Sequence, residues 1–186
     1  MAGKSSSSGG FGKFLFGILF GIVLLVAGAW AYLRFGNVPV AVADTAWTWE
    51  RQITHTALDA RIARETKPAP FGTSEDVYEA GAHTYMQHCA VCHGTPGHTV
   101  SFANDMYPAA PPLWATHQHA GGASHVGVSD DDPGETYWKV ANGIRLTGMP
   151  AFKNTLTDIQ MWQVSLLLKN ADQSLPDPVK EILAKP

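Results

Sequence analysis

The hydrophobic pattern divides the chain into an apolar N-terminal run and a longer, mixed polar part. Residues 14–33 read FLFGILFGIVLLVAGAWAYL and contain no charged side chain. Twenty helical residues rise about 30 Å, which matches the hydrocarbon thickness of a bilayer. Backbone groups in lipid must find partners within their own segment, so the run predicts one transmembrane helix within residues 14–35.

The length of this apolar run also bears on processing and orientation. It exceeds the apolar core of a secretory signal peptide, and the nearest small-residue cleavage pattern, Ala41-Val42-Ala43, begins well beyond it. We therefore expect the helix to be retained as an anchor. Positive charges are nearly balanced between the two sides of the run, so they do not determine which end faces the cytoplasm.

Composition divides the remainder into three segments. Residues 1–13 are rich in Ser and Gly and are predicted to be a disordered tail. Residues 36–70 are predicted to be a partly helical spacer, which ends at the Lys67-Pro68-Ala69-Pro70 stretch because proline interrupts helices. Residues 71–186 are long enough for one small domain.

Helical periodicity is the dominant pattern within this domain, and no segment shows a convincing strand alternation. It predicts three helices with recognisable start or stop signals: one opened by the cap Thr73-x-x-Asp76, one over residues 134–142 ended by Gly143, and one from Thr157 to about Asn170. Long stretches rich in Gly, Pro, Ala and His separate them. The domain is therefore predicted to be all-α with long loops.

The net charge of the C-terminal domain limits the kinds of molecule that are expected to bind it. Residues 71–186 carry six Lys and Arg against twelve Asp and Glu, a net −6 within a chain of net −3. Because no basic patch exists, nucleic acid is not expected as a partner. A protein that docks on this domain is expected to present an excess of Lys and Arg.

The two cysteines of the chain, Cys89 and Cys92, lie in the stretch HCAVCHG, where His93 directly follows the second. Cys-x-x-Cys-His is the attachment signature of c-type haem. The long loops contain few large aliphatic residues, so a domain of this size needs something further to bury. A large, flat, apolar cofactor would complete its core.

Three other interpretations of the cysteine pair fit less well. A structural zinc site needs four ligands, and His88 and His93 beside one Cys pair would be cramped. A thioredoxin-like redox pair needs a βαβ context, which the pattern does not provide. A structural disulfide that closes so short a loop would stabilise the protein little.

A haem iron needs a second axial ligand or an open face. Met149 lies between Gly148 and Pro150 in the stretch NGIRLTGMPAF, and these neighbours restrict the path of the loop. A thioether presented in this way is typical of an iron ligand, and Met/His ligation raises the reduction potential. The alternative is a methionine that fills a packing gap. Met106, also in a loop, is the reserve ligand, whereas Met161 is expected to pack within the last helix.

Histidines downstream of the motif form a second candidate metal site. His117, His119 and His125 are followed by the acidic residues 130–132, a composition that suits copper or zinc. The sequence places no fourth ligand, so a solvated loop is the preferred interpretation. His88 is expected to be exposed or hydrogen-bonded rather than axial.

On these motifs, the C-terminal domain resembles a class I monohaem cytochrome c, and the whole chain resembles a membrane-anchored bacterial member of that family. In the family, a glycine and an aromatic residue upstream of the first haem cysteine let the first and last helices cross closely. Gly81 and Tyr85 occupy those positions. Val164, Leu167 and Leu168 fit the facing positions, although the more usual aromatic residue is absent at Leu167.

This resemblance implies an all-α class I cytochrome c fold around one covalent haem c. It implies thioether bonds from Cys89 and Cys92, with His93 as the proximal and Met149 as the distal iron ligand. It also implies a proline carbonyl on the proximal histidine ring, which either proline of the Pro111-Pro112 pair can supply. Trp114 is expected near the haem edge.

The resemblance further implies an electron carrier rather than an enzyme. Haem attachment outside the cytoplasm would put residues 1–13 inside the cell and the haem domain in the periplasm, with the helix in the bacterial inner membrane. Electrons would then pass between partners of a respiratory chain. The alternative is a cytochrome subunit of a periplasmic dehydrogenase or of a terminal oxidase.

Overall fold

The structure is a computed structural model that describes residues 8–118 and 124–185. It contains two compact units, Met1–Trp47 and Thr48–Pro186. The elements, in chain order, are α1 Ser8–Phe35, α2 Glu50–Glu65, α3 Glu75–His88, α4 Ala90–His93, a 3-10 helix Ser101–Asp105, β1 Thr116–Gln118, β2 Ser124–Val126, α5 Pro133–Asn142, α6 Asp158–Lys169 and α7 Asp177–Leu183.

Helix α1 is the candidate membrane span. Its residues Gly10–Phe35 are long and apolar enough to cross a bilayer. The helix begins before the apolar run, so residues 8–13 of the predicted disordered tail are helical, while residues 1–7 lie outside the described part of the chain. Extension is favourable because each residue added to an existing helix contributes a hydrogen bond and no proline interrupts this stretch.

The core of the second unit is built on the crossing of α3 and α6. A Cβ atom at Gly81 would lie 2.5 Å from the carbonyl oxygen of Gln163, so only glycine permits this approach of the two backbones. Tyr85, Val164 and Leu167 are fully buried beside the contact. The mostly helical fold and the predicted helix crossing are therefore confirmed.

Trp162 lies on α6 and packs against α5. Its ring stacks on that of Tyr137 from α5, with centroids 4.1 Å apart and planes 10° apart. Helix α6 therefore packs against α5 as well as against α3.

The helix ends follow the predicted signals with one correction. The side chain of Ser74, not Thr73, caps α3 by accepting a hydrogen bond from the backbone N–H of Val77. Thr157 caps α6 in a reciprocal capping box with Gln160, as predicted from the sequence. Gly143 ends α5 with a φ of +64°, a left-handed conformation that suits glycine.

Helix α2, which lies within the predicted spacer, belongs to the second unit. Ile62 is buried, and the carboxylate of Glu65 accepts a 2.8 Å hydrogen bond from Nε1 of Trp138 on α5. A Cβ at Gly134 would lie 2.2 Å from the carbonyl oxygen of Lys67, so the chain after α2 also runs tightly over α5. The helix within the predicted spacer is therefore packed on the domain.

Two small features were not predicted. Strands β1 and β2 form an antiparallel hairpin in which His117 faces His125. Each strand has three residues, too few to show an alternating pattern. Helix α7 buries only Val179 and Leu183, so it also lacks the repeated apolar spacing of a longer helix.

Candidate functional site

One cavity of about 260 Å³ brings together the four predicted site residues, Cys89, Cys92, His93 and Met149. Met149 is far from the cysteine motif in sequence, and the α5–α6 loop brings it to the wall of the same cavity. Most other residues of the wall are apolar, including Leu113, Val140, Phe152 and Leu168. Such a space suits a large apolar group with a few polar attachment points.

The cysteine motif lies at a break between two helices. Cys89 ends α3, where its N–H donates to the carbonyl of Tyr85 at 2.8 Å, and its own carbonyl accepts from the N–H groups of Cys92 and His93. The short turn α4 thus directs all three side chains toward the cavity wall. Both cysteines are free thiols. Burial, with a smaller contribution from Cys92, raises the pKa of Cys89 to about 12, so the thiol is neutral.

The His93 ring is oriented by a backbone carbonyl. Its Nδ1 lies 2.7 Å from the carbonyl oxygen of Pro111, so of the two candidate prolines the structure selects Pro111. A carbonyl can only accept, so Nδ1 carries the proton and Nε2 keeps a free lone pair. Burial lowers the pKa of His93, and the bond to Pro111 opposes that shift only in part. The result is a neutral imidazole of fixed tautomer, the form that binds metals.

The loop that carries Met149 is closed by its own hydrogen bonds. Thr147 Oγ1 donates to the carbonyl of Ile144 at 2.7 Å and accepts from the N–H of Met149 at 3.1 Å. The N–H of Ile144 in turn donates to the carbonyl of Met149 at 3.3 Å. Leu146, at the exposed tip, has a φ of +64°, which lets the loop turn tightly. These bonds fix the direction in which the Met149 side chain leaves the backbone.

The two other methionines considered in the sequence analysis lie in different surroundings. Met106, the reserve ligand, also lines the cavity and lies against the backbone of Gly148. Met161 is 3% exposed in α6 and belongs to the hydrophobic core, as predicted.

Helix α2 contributes part of the cavity wall, which the sequence interpretation missed. His55, Leu58 and Asp59 all line the cavity. With Ile62 they recur at helical spacing on one face of α2. This spacing was the feature of the sequence that could have predicted a helix face packed on the domain. The proline-rich stretch after the helix led to its assignment as a spacer.

Lys139 is the cationic side chain that lines the cavity from α5. Its Nζ lies 2.6 Å from Glu135 and 3.3 Å from Asp131. Burial alone would lower its pKa, but the hydrogen bond to Glu135 and the charges of both carboxylates raise it overall. The ammonium group is therefore charged and paired with two carboxylates.

Trp114 and His88 lie in different surroundings. Trp114 is absent from the main cavity and packs edge-on against Tyr85, with ring centroids 5.7 Å apart. It lines a smaller cavity together with His93, and its place near the haem edge stays a prediction. His88 does line the main cavity, with its ring 6.0 Å from that of Phe152.

The candidate second metal site is only partly described. His117 and His125 face each other across the β1–β2 hairpin, but His119 lies outside the described residues. Within residues 8–118 and 124–185, no group of three or more His, Cys, Asp or Glu side chains is arranged to hold a metal ion.

The main cavity fits covalent haem c. It offers two free thiols for thioether bonds, an imidazole with an available Nε2, the Met149 thioether and apolar walls for a porphyrin.

Comparison with known proteins agrees with this chemistry. Residues 76–166 match the family model for cytochrome c oxidase, cbb3-type, subunit III. The matched range contains the cysteine motif and the Met149 loop. No curated protein and no solved structure matches the chain.

Proposed function

Because its domain at residues 76–166 makes this chain a c-type cytochrome, we propose that it is a membrane-tethered electron carrier whose haem iron is ligated by His93 and Met149. The domain binds haem c covalently, and its activity is electron transfer through that haem. The observation that carries the ligand assignment is the single cavity shared by both cysteines, the neutral imidazole and the Met149 thioether.

In this proposal the residues of the cavity have distinct roles. Cys89 and Cys92 hold the porphyrin through thioether bonds. The bound iron supplies the redox chemistry by cycling between the ferric and ferrous states. His93 presents Nε2 while Pro111 holds its other ring nitrogen, a contact that fixes the ring and makes it a stronger ligand. Met149 would hold the iron through its thioether sulfur, as the second protein ligand beside His93.

The apolar wall supports the same function. Leu113, Val140 and Leu168 are buried in the core and line the cavity. They exclude water from the site, which lowers the local dielectric constant. A less polar environment disfavours the more highly charged ferric state, so it adds to the effect of the methionine ligand in raising the reduction potential.

We further propose that the haem domain is periplasmic and that α1 crosses the bacterial inner membrane. One apolar helix with a cytochrome c domain is consistent with a single-pass membrane protein. The acidic charge of residues 71–186 supports a redox partner with a basic docking surface.

Carbon monoxide tests the ligand assignment. The ferrous full chain in detergent is expected to bind carbon monoxide slowly and incompletely, because Met149 must first leave the iron. Absorption spectroscopy with and without the gas measures this. Rapid, stoichiometric binding would mean that the sixth position is open, which would contradict the carrier proposal and favour a ligand sensor or peroxidase.

The family match supports a second candidate function, in which the chain is a cytochrome subunit of an oxidase complex. The matching family is itself described as an oxidase subunit. Purification from native membranes under mild conditions distinguishes the two. A free carrier elutes alone, whereas a subunit remains with stoichiometric partner chains at constant ratio through successive columns.

A further inference from the structure

We propose that Met106 is a positioning residue for the loop that carries Met149. It acts by placing its methyl group in the space beside Gly148 that a side chain would otherwise occupy. The inference rests on the proposed function, because it concerns the stability of the Met149–iron bond.

The Met106 side chain occupies the space that a side chain at Gly148 would take. A Cβ atom at Gly148 would lie 2.0 Å from Cε of Met106, and 3.8 Å from its Sδ. The φ of Gly148 is not in the positive range that favours glycine. The backbone conformation of Gly148 is therefore open to other residues, but the space that a Cβ would take is occupied by the Met106 methyl group.

The two methionines reach the same cavity from different parts of the chain. Met106 follows the 3-10 helix Ser101–Asp105, and Met149 lies in the loop between α5 and α6. The hydrogen bonds of that loop join it to itself, through Thr147 and Ile144. Met106 adds a contact from a remote segment to the residue directly before the proposed ligand.

The chemistry of methionine suits this role. Its side chain is unbranched and flexible, so it can follow an irregular backbone surface closely. A loop with such a contact has fewer conformations available to it. Met149 then spends less time away from the iron, and external ligands reach the metal more slowly.

Substitutions of Met106 separate packing from sulfur chemistry. Met106→Ala removes the side chain and is expected to accelerate carbon monoxide binding by the ferrous full chain by roughly tenfold, because the population with Met149 dissociated increases. Met106→Leu keeps the volume and loses the sulfur, so it is expected to stay within about twofold of the wild-type rate. Met161→Ala is the control, since it lowers the unfolding temperature without accelerating binding.

Gly148 provides a reciprocal test. Gly148→Ala forces the Met106 side chain out of its place, so alone it is expected to accelerate carbon monoxide binding. In the Met106→Ala background the clash is gone, and Gly148→Ala is expected to have less than half of that effect. The wild type, the two single variants and the double variant are also compared by thermal unfolding. The loss of stability caused by Gly148→Ala is expected to be smaller in the Met106→Ala background. This second measurement does not depend on which residue binds iron.

The outcomes are distinguishable. Wild-type binding rates in both Met106→Ala and Gly148→Ala would overturn the positioning role. Equal acceleration by Met106→Leu and Met106→Ala would also overturn it, because the sulfur rather than the packing would then matter. If Met149→Ala leaves the rate unchanged while the thermal cycle still shows coupling, the ligand assignment fails and the Met106–Gly148 contact stands.

Discussion

At the residue scale, two glycines permit close packing around the site because neither carries a side chain. Gly81 lets α3 and α6 cross, and Gly148 receives the end of Met106. The first contact is with backbone, which cannot move away from an added methyl group unless the whole helix moves. The second is with the end of a flexible side chain, which can. Substitution at the first position is therefore expected to cost more stability.

Gly81→Ala is predicted to destabilise the domain by about 1–3 kcal/mol, the usual range for overpacking in a core. The Cβ would lie 2.5 Å from the carbonyl of Gln163, so the two helices must separate. Thermal unfolding of the full chain in detergent measures the effect. Gly72→Ala is the control because nothing lies within 4 Å of its Cβ. Equal unfolding temperatures for the two variants would contradict this packing account.

At the element scale, the sequence predicted the long helices better than their neighbours. The bounds of α3, α5 and α6 followed from caps and periodicity, and the α3–α6 crossing followed from Gly81, Tyr85 and the facing aliphatic residues. Helix α7 and the hairpin were too short for any pattern to emerge. The cavity-lining role of α2 was missed because a contact between distant segments leaves only a weak signal in one helix face.

Within the site, the local parts were predictable and the long-range choices were not. Cys-x-x-Cys-His indicated three residues and the Gly148-Met149-Pro150 loop indicated a fourth, and all four line one cavity. The choice of Pro111 over Pro112 depends on how the loop after α4 folds back. No spacing rule specifies that path.

Helix α2 yields a prediction about the reduction potential. Leu58→Asp puts a negative charge in the haem cavity, which stabilises ferric iron and lowers the potential. A unit charge about 10 Å away, at an effective dielectric constant of about 20, contributes on the order of 1–2 kcal/mol, which is tens of millivolts. Redox titration measures the shift.

Two variants control for effects other than charge near the haem. Leu58→Asn removes the same packing without adding charge. Ile53→Asp adds the charge on α2 at an exposed position that does not line the cavity. Both are expected to change the potential much less than Leu58→Asp. If Ile53→Asp lowers it equally, α2 does not form part of the haem environment.

At the scale of the whole molecule, charge and anchoring define how the protein meets its partners. Residues 71–186 carry a net −6, whereas residues 1–35 carry a net +3. The acidic part is the haem domain, so its encounter with a basic partner is expected to be accelerated by electrostatic attraction.

Electron transfer to such a partner is predicted to slow as ionic strength rises. At 0.1 M salt the screening length is about 10 Å, and at 1 M it is about 3 Å, so long-range attraction is lost over this interval. Stopped-flow measurement of the second-order rate against salt tests this with any basic soluble cytochrome as acceptor. An acidic acceptor should show the opposite trend, and a rate independent of salt with both would rule out electrostatic docking.

The central claim is that His93 and Met149 fill both axial positions of a covalent haem c. The most direct measurement is the absorption spectrum of the ferric, exported full chain at long wavelength, where methionine ligation of haem gives a weak band. The account predicts that the band is present in the wild type and absent in Met149→Ala, while the haem stays attached in both. A wild-type spectrum without the band, or one that Met149→Ala leaves unchanged, would contradict it.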